Sequence, residues 1–310
     1  MKTTLYTHEA GFDHQNPLEH AEHPGRLRAV LDALQGEAFA KLIRREAPLA
    51  ARNDLERVHE PEYIDLILNT ELTDGEILAL DRDTYLSAGT AEAALRGAGA
   101  ACQAVDDVLA GASSAAFCAM RPPGHHARPG TAMGFCIFSN IAIAAKRALQ
   151  VHGLERVAVV DFDVHHGNGT QEALWDEPGA LFISLHQQDH YPGTGLASET
   201  GGRGQVLNLP MVAGTSAEDW MSSFCDVALI HLRAFAPQLI LVSAGFDAHE
   251  DDPLGDFCLQ GHHYGELGRL LGNLARTQAN SRLVSVLEGG YHLPALGNSA
   301  AQYVSALLAC

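Results

Sequence analysis

The stretch that decides the fold is VAVVDFDVHHGNG, which runs from Val157 to Gly169. Its first part, Val157–Asp163, is a short apolar run without polar alternation. Such a run is typical of a strand that is buried on both faces of a parallel sheet. Five similar runs occur elsewhere in the chain: Ala115–Met120, Leu181–His186, Val206–Leu209, Leu239–Gly245 and Leu283–Glu288.

Segments with helical patterning separate these runs. They are Gly89–Leu109, Phe138–His152, Ala217–Phe235, Gly261–Thr277 and Leu296–Leu308. Strands that alternate with helices predict βαβ units, so we expect an α/β fold with a central, mostly parallel sheet covered by helices. No linker rich in Pro, Gly or Ser interrupts this order, and residues 1–310 are therefore predicted to form one domain.

Polar residues follow most of these apolar runs. The fragments are RPPGHH at Arg121–His126, DFDVHHGNG at Asp161–Gly169, SLH at Ser184–His186, SAGFD at Ser243–Asp247 and EGGY at Glu288–Tyr291. The carboxyl ends of parallel strands meet at one edge of the sheet, and ligands bind there in open α/β sheets. We therefore expect these distant fragments to converge on one active site.

Asp163 and His165 form the centre of a predicted metal site. Residues two apart in an extended segment point to the same side, so one carboxylate and one imidazole can meet one ion. Asp247, which follows a later strand, supplies a third ligand. Two carboxylates and one imidazole that leave a coordination position open are typical of a catalytic metal site, whereas structural zinc sites close with four Cys or His.

A catalytic metal site of this kind also needs a general base, and His125 and His126 are the two candidates. Each imidazole needs a partner that fixes its tautomer, and Asp161 and Asn168 flank the metal-ligand pair where they can serve as partners. Tyr291 follows two glycines after a strand. Its phenol can donate a hydrogen bond to an oxyanion that develops during a reaction.

The composition excludes some classes of function. The 310 residues include 20 Lys and Arg against 38 Asp and Glu, a formal charge of −18. Nucleic-acid binding and polybasic membrane anchoring both need clustered positive charge, so we expect neither partner. The acidic balance tolerates a cationic substrate through its field, without proving one. The 17 His residues are the other unusual feature, and three of them carry the chemistry proposed above.

The cysteines and the first residues bear on the compartment. Six Cys are scattered through the chain without a CxxC pair, and several lie in apolar runs, which is typical of reduced thiols in a cytoplasmic protein. The segment Met1–Glu9 lacks the apolar core of a signal peptide. No apolar run approaches the roughly 18 residues that a membrane span needs. We therefore expect a cytoplasmic protein.

Taken together, these motifs resemble the zinc-dependent histone deacetylase superfamily, specifically its class II-like branch. The matching stretches are RPPGHHA at Arg121–Ala127, GFCIFSNIAIAA at Gly134–Ala145, VVDFDVHHGNGTQ at Val159–Gln171, ISLHQ at Ile183–Gln187, YPGTG at Tyr191–Gly195, LVSAGFDAHEDDPLG at Leu241–Gly255 and LEGGYHL at Leu287–Leu293. HPGRLRAV at His23–Val30 and VHEPEYID at Val58–Asp65 match more weakly. The resemblance covers nearly the whole chain. It implies the three-layer arginase/deacetylase fold and an amide hydrolase that removes acyl groups from amines.

The resemblance makes Asp163, His165 and Asp247 the ligands of one zinc ion per chain. The related arginase fold holds two manganese ions with the help of two further Asp residues. Gly167 and Gly245 stand at those positions here and cannot bind a metal through a side chain. The sequence therefore favours a single ion.

The resemblance also distinguishes the two histidines. His126 becomes the general base and later the general acid, hydrogen-bonded to Asn168, and His125 becomes its electrostatic companion, held by Asp161. Tyr291 polarises the scissile carbonyl. Class I-like members carry Asp where Asn168 stands, and the neutral amide here matches the class II-like pattern.

Further residues follow from the same resemblance. Gly134, Phe135 and Tyr191 would line the acyl-lysine tunnel. A structural potassium ion would bind beneath the zinc, with ligands from Asp161, Asp163, His165, Ser184 and Leu185. A second potassium site near Leu174–Ala180 is poorly specified by side chains.

The resemblance implies that the substrate is an acylated amine, and two kinds are open: acyl-lysine in proteins or peptides, and acetylpolyamines or other small acylated amines. Polyamine-selective relatives often place Glu at the tunnel mouth, and Leu254 occupies that position, which favours acyl-lysine. Asp83 could reach the rim and accept a hydrogen bond from a substrate backbone. A zinc-binding sensor without catalysis is the alternative from another class of function, and the complete set of His125, His126 and Tyr291 argues against it.

Glu22, in the segment that follows His20, is expected to lie in an entrance loop without assigned chemistry.

Overall fold

The computed structural model of the protein describes residues 2–310. Its strands are, in chain order, β1 (Thr3–Thr7), β2 (Ile43–Glu46), β3 (Ile77–Ala79), β4 (Tyr85–Ser87), β5 (Ala115–Cys118), β6 (Val157–Asp161), β7 (Ala180–Gln187), β8 (Val206–Met211), β9 (Leu239–Ala244) and β10 (Leu283–Leu287). β3 and β4 form an antiparallel hairpin. The other eight form one sheet in the order β2-β1-β5-β10-β9-β6-β7-β8, and the pairings between its strands are parallel.

Helices cover both faces of this sheet. They are α1 (Ala10–Asp13), α2 (Gly25–Ala33), α3 (Arg52–Leu55), α4 (Pro61–Asn69), α5 (Thr90–Leu109), α6 (Asn140–Gln150), α7 (Asn168–Leu174), α8 (Ala217–Ser223), α9 (Leu229–Phe235), α10 (Gly261–Gln278) and α11 (Leu293–Ala309). A short 3₁₀ turn spans Glu37–Phe39. The predicted α/β class with a central parallel sheet is confirmed, while the single domain over residues 1–310 stays a prediction.

β6 shows why its sequence is apolar without alternation. Ala158 and Val160 pack into the cluster beneath α2, α10 and α11, whereas Val157 and Val159 pack into the cluster beneath α5 and α6. Both faces of the strand are therefore buried, and neither needs polar side chains. Removing this much apolar surface from water is the main favourable contribution to such a core.

The structure differs from the predicted elements at two kinds of place. The predicted helix Ala217–Phe235 contains a π-helical segment, Phe224–Ala228, between α8 and α9. The predicted runs do not include the strands β1, β2, β3 and β4. β2 lies at the sheet edge, where three of its four residues are exposed, so its sequence IRRE lacks the apolar signal of a buried strand. Within residues 2–310, no helix is both long and apolar enough to cross a membrane.

Candidate active site

The predicted site residues follow strands that are neighbours in the sheet. The turn with His125 and His126 follows β5, the segment with Tyr291 follows β10, Asp247 follows β9, and the pair Asp163 and His165 follows β6. In the sheet these strands lie side by side in the order β5-β10-β9-β6. Parallel pairing places all four carboxyl ends at one edge, as the sequence predicts.

Asp163, His165 and Asp247 form a buried cluster whose ligand atoms all lie within 4.8 Å of one another. The Nδ1 atom of His165 lies 3.0 Å from Oδ1 of Asp163 and 3.2 Å from Oδ2 of Asp247. The second oxygen of each carboxylate is held by the backbone, since Oδ1 of Asp247 accepts from Val164 N at 2.9 Å and Oδ2 of Asp163 accepts from Gly289 N at 2.8 Å. These contacts fix the direction of three ligands.

The charge balance of this cluster fits a cation. Oδ2 of Asp247 is buried and makes no hydrogen bond among the described residues. Its ion-pair contact is with Nδ1 of His165 at 3.2 Å, which is a ligand atom of the same cluster. Burial and, after it, the nearby Asp163 carboxylate raise the pKa of the Asp247 carboxyl to about 7. A buried carboxylate oxygen left without a donor is costly, and a metal ion would satisfy it. The donor set of two carboxylates and one imidazole suits a zinc-type catalytic site.

His125 lies behind this cluster as a charged group. Its Nδ1 is 2.9 Å from Oδ2 of Asp161, and its Nε2 is 3.8 Å from Oδ2 of Asp163. Burial alone would lower the pKa of His125, but the two carboxylates outweigh burial and raise it well above the ordinary value. These two contacts therefore favour the charged form of His125.

His126 is the neutral member of the pair. Its Nδ1 lies 2.8 Å from the side-chain oxygen of Asn168, so Nδ1 carries the proton and Nε2 is left to accept one. Burial and the neighbouring His125 and His165 rings hold the pKa of His126 well below its ordinary value. The surroundings therefore favour the charged form of His125 and the neutral form of His126, and His126 lines the cavity.

Tyr291 closes the site from the side of β10. Its backbone N–H donates to Oδ2 of Asp252 at 2.6 Å, and its ring lies edge-on to that of Phe135 with the centroids 5.7 Å apart. Burial raises the pKa of the Tyr291 phenol well above its usual value. The hydroxyl consequently stays protonated and available as a hydrogen-bond donor.

A cavity of about 300 Å³ connects this site with the surface. All five residues predicted for substrate binding line it, together with His126, His165 and Tyr291: Gly134, Phe135, Tyr191, Leu254 and Asp83. Gly134 has a φ of +56°, and a Cβ atom there would lie 2.4 Å from the ring of His126. Only glycine therefore fits between the tunnel wall and the base.

The residues predicted to bind potassium also lie together. Asp161 and Ser184 are partners in the register between β6 and β7, and Leu185 follows Ser184 in β7. Oδ1 of Asp161 accepts from Asp163 N at 3.1 Å, which places this carboxylate beneath the metal-ligand segment. Hydroxyl, carboxylate and backbone carbonyl oxygens are the hard ligands that cations of this type prefer.

Sequence reasoning missed three residues of the site. Glu288 ends the run at β10, and its buried Oε2 accepts from Gly124 N at 2.7 Å and from His125 N at 3.1 Å. His190 stacks on His165 with ring centroids 5.0 Å apart, and its Nε2 lies 2.8 Å from the carbonyl oxygen of Leu254. Glu22, expected in an entrance loop without assigned chemistry, lies in the segment before α2 and is completely buried between Arg26 and Arg121. The sequence does carry a signal for Glu288, because it is an acidic residue at the end of the apolar run Leu283–Glu288.

Comparison with known proteins gives the family. The family model described as a histone deacetylase domain matches residues 20–307. The histone deacetylase-like amidohydrolase of Pseudomonas aeruginosa is 41% identical over 279 residues, covering 88% of this chain and 72% of the relative. The human polyamine deacetylase HDAC10 is 40% identical over 301 residues, covering 93% of this chain and 44% of the relative.

A solved structure agrees with these sequence matches. The crystal structure of the HDA15 HD domain superposes with a TM-score of 0.93 at 34% identity, covering 99% of this chain and 88% of that one. A probable deacetylase of Archaeoglobus fulgidus is 38% identical over 297 residues, covering 94% of this chain and 82% of the relative. With the family model extending over most of the sequence, the predicted amide hydrolase is confirmed. This chain belongs to the histone deacetylase family and is a deacetylase.

Proposed function

We propose that the protein is a zinc-dependent deacetylase that removes acetyl or other acyl groups from the ε-amine of acyl-lysine in proteins or peptides. The observation that carries this proposal is the buried cluster of Asp163, His165 and Asp247, whose member His165 lines the cavity together with His126. The ring centroids of His126 and His165 are 5.9 Å apart, which leaves the base next to the ligand set.

Asp163, His165 and Asp247 would hold the zinc ion. When bound there, zinc supplies Lewis-acid polarisation of the substrate carbonyl and favours ionisation of water near neutral pH. The glycines at positions 167 and 245 offer no side-chain ligand for a second ion, which supports one zinc per chain.

The protein's own residues would move the protons and stabilise the charge. His126 takes a proton from the attacking water through Nε2, while Asn168 keeps the Nδ1 proton in place. Tyr291 donates a hydrogen bond to the oxygen of the scissile carbonyl as negative charge develops on it. His126 then returns its proton to the departing amine, so water is consumed and one carboxylic acid and one amine are released.

His125 would support this proton transfer by charge and not by exchange. Its pKa is raised well above the ordinary value, so it keeps its proton while His126 titrates. A fixed positive charge next to His126 also disfavours a second charge there, and the imidazolium of His126 readily gives up its proton to the amine.

The tunnel supports an acyl-lysine substrate. Phe135 and Tyr191 present aromatic surface to the cavity, and such walls suit the apolar stem of a lysine side chain. Leu254 contributes an apolar side chain at the mouth, where it offers no charge to a polyamine. Asp83 lines the same cavity, and there it would accept a hydrogen bond from a peptide backbone.

A small acylated amine is the second candidate substrate. The formal charge of −18 favours a polycation at long range, and the human relative at 40% identity is named a polyamine deacetylase. Long-range attraction raises encounter rates more than it selects a substrate, whereas residues at the mouth act on the bound molecule. The uncharged Leu254 therefore favours acyl-lysine. A zinc-binding sensor without turnover is disfavoured by the complete set of base, partner and phenol.

We also propose a structural potassium ion held by the side chains of Asp161 and Ser184 and by carbonyl oxygens of Asp163, His165 and Leu185. The adjacent positions of Asp161 and Ser184 in paired strands support this arrangement. The cytoplasmic location stays a prediction.

The test is hydrolysis of a fluorogenic acetyl-lysine peptide beside acetylputrescine and peptides with longer acyl groups. We expect acetate release from the lysine peptide, loss of activity with a zinc chelator, recovery with zinc, and loss in His126→Ala. The exposed His231 on α9 provides a matched control, His231→Ala, which should retain activity. Binding of the peptide by the wild-type protein without any acetate release would support the sensor and reject the enzyme.

A further inference from the structure

Three charged side chains with no exposed surface lie behind the active site: Glu22, Arg26 and Arg121. Glu22 precedes α2, Arg26 lies in its first turn, and Arg121 opens the turn that carries His125 and His126. Burial of three ionised groups is costly unless they are paired and hydrogen-bonded, so their contacts need an explanation.

Arg121 connects Glu22 to the histidine turn. Its Nε donates to Oε1 of Glu22, and its Nη2 donates to Oε2 at 2.6 Å, which makes a two-point contact. Nη1 of Arg121 donates to the carbonyl oxygens of Gly11 at 2.6 Å and His14 at 3.2 Å. The guanidinium therefore fixes the residue from which the RPPGHH turn begins.

Arg26 connects the carboxylate of Glu22 to the segment Glu288–Tyr291, which carries the phenol. Nη1 of Arg26 donates to Oε1 of Glu22 at 3.1 Å, so both arginines share this one oxygen. Nε of Arg26 donates to the carbonyl oxygen of Gly290 at 2.6 Å, and Nη2 donates to that of Glu288. The guanidinium carbon lies 4.7 Å from the ring centroid of Tyr291. Arg26 thus binds the backbone on both sides of Gly289 and contacts the face of the Tyr291 ring.

We propose that Glu22 is a positioning residue for deacetylation, joining the turn of His126 to the turn of Tyr291 through Arg121 and Arg26. This inference rests on the proposed function, because it assigns Glu22 a role only in that reaction. One carboxylate between two loops sets the separation of the base and the oxyanion donor. Displacement of a catalytic group by about 1 Å costs about 100-fold in rate, so a rigid link behind the site has catalytic value.

The contacts of Glu22 with Arg121 and Arg26 predict which kinetic constant changes when Glu22 is substituted. Glu22→Gln retains the size of the side chain but leaves two guanidinium groups facing one neutral amide, which weakens both arginine contacts. Glu22 does not line the cavity. Substrate binding in the tunnel should therefore persist, whereas the alignment of Tyr291 with the carbonyl oxygen should be lost. We expect kcat to fall about 10- to 100-fold with KM little changed.

A double-mutant cycle separates positioning from general loss of stability. We compare the wild type, Glu22→Gln, Tyr291→Phe and the double variant, with zinc content and melting temperature measured for each. If Glu22 acts through the phenol, its substitution should have little further effect once the hydroxyl is absent. Multiplicative losses in the cycle would overturn the proposal, and so would unchanged kcat in Glu22→Gln.

Two further proteins complete the test. Asp107→Asn is the matched control, because Asp107 is also a buried carboxylate paired with an arginine, Arg45, at 2.5 Å, outside the cavity. It should lower stability and leave kcat unchanged. If Glu22→Gln does not fold, Arg26→Lys takes its place in the same cycle, since lysine keeps the charge but cannot bind Glu22, Gly290 and Glu288 at once. Lack of activity in the wild type would instead reject the proposed function.

Discussion

The Nδ1 atom of His126 lies 2.8 Å from the side-chain oxygen of Asn168. The partner of the base is thus a neutral amide, which orients the ring and favours its charged form through this hydrogen bond alone, less than a carboxylate would. Burial and the nearby His125 and His165 rings hold the pKa of His126 low. The base is consequently favoured in its neutral, active form down to a lower pH than an ordinary histidine.

Replacement of Asn168 by Asp should shift the acidic limb of the pH profile. A carboxylate at 2.8 Å favours the imidazolium, so the pKa of His126 rises. The base is active only when neutral, and a higher pKa means that it is inactivated at a higher pH. We expect the acidic limb of kcat/KM in Asn168→Asp to move upward by about one pH unit. Asn168→Ala should lower the rate without this upward shift, and a profile for Asn168→Asp that coincides with the wild type would contradict the assignment of His126.

Removal of one hydroxyl should separate catalysis from metal binding. Tyr291 is not a member of the metal cluster, so Tyr291→Phe should retain zinc. Loss of one oxyanion donor lowers kcat by about 100- to 1,000-fold. Steady-state kinetics and metal analysis on the same preparation measure both quantities. Tyr85→Phe is the control, because Tyr85 also carries a phenol but does not line the cavity, and it should match the wild type. Near-normal turnover in Tyr291→Phe would remove the role given to its phenol.

The grouping of the site could be predicted because its residues follow buried strands directly. Asp163, His165 and Asp247 follow β6 and β9, which are neighbours in the sheet, and the rule for parallel strands brings such residues together. The same reasoning covers the turn at His125 and the segment at Tyr291. It predicts that these residues converge, while their individual roles still depend on the measurements proposed here.

Glu22 could not be predicted in the same way. It lies before a helix and not after a strand, and its partner Arg121 is distant in sequence. Nothing in its local pattern distinguishes a buried ion pair from an exposed acidic residue, since acidic residues are mostly exposed. The strand β2 was missed for a related reason, because an edge strand with exposed side chains lacks the apolar run that marks β6.

A charge at the tunnel mouth should change the choice of substrate. Leu254 lines the cavity, and Leu254→Glu places a carboxylate where the distal ammonium of an acetylpolyamine would lie. One partly exposed ion pair contributes about 1 kcal/mol, which corresponds to about fivefold. We expect kcat/KM for acetylspermidine to rise about fivefold relative to the acetyl-lysine peptide. Leu254→Gln has nearly the same shape without the charge and should not show this rise; an equal rise in both variants would assign the effect to shape.

The stability of the protein should decrease in acid through His59. The ring is buried, its Nε2 accepts from Ser139 N at 2.9 Å, and its Nδ1 lies 3.1 Å from the carbonyl oxygen of Arg128. This arrangement needs the neutral imidazole, and burial lowers the pKa of His59 to about 4. In the unfolded chain the pKa is about 6.5, so the unfolded state binds more protons between these two values.

The sign of the effect follows from this difference in proton binding. The contribution of neutral His59 is complete above about pH 6.5 and decreases as the pH falls toward 4, at a rate of up to about 1.4 kcal/mol per pH unit. Urea unfolding at a series of pH values measures this slope. His59→Gln retains an acceptor and a donor but does not titrate, so its free energy of unfolding should depend less steeply on pH within this window. His231→Gln on the exposed face of α9 should retain the wild-type slope, and equal slopes for wild type and His59→Gln would show that another group carries the acid sensitivity.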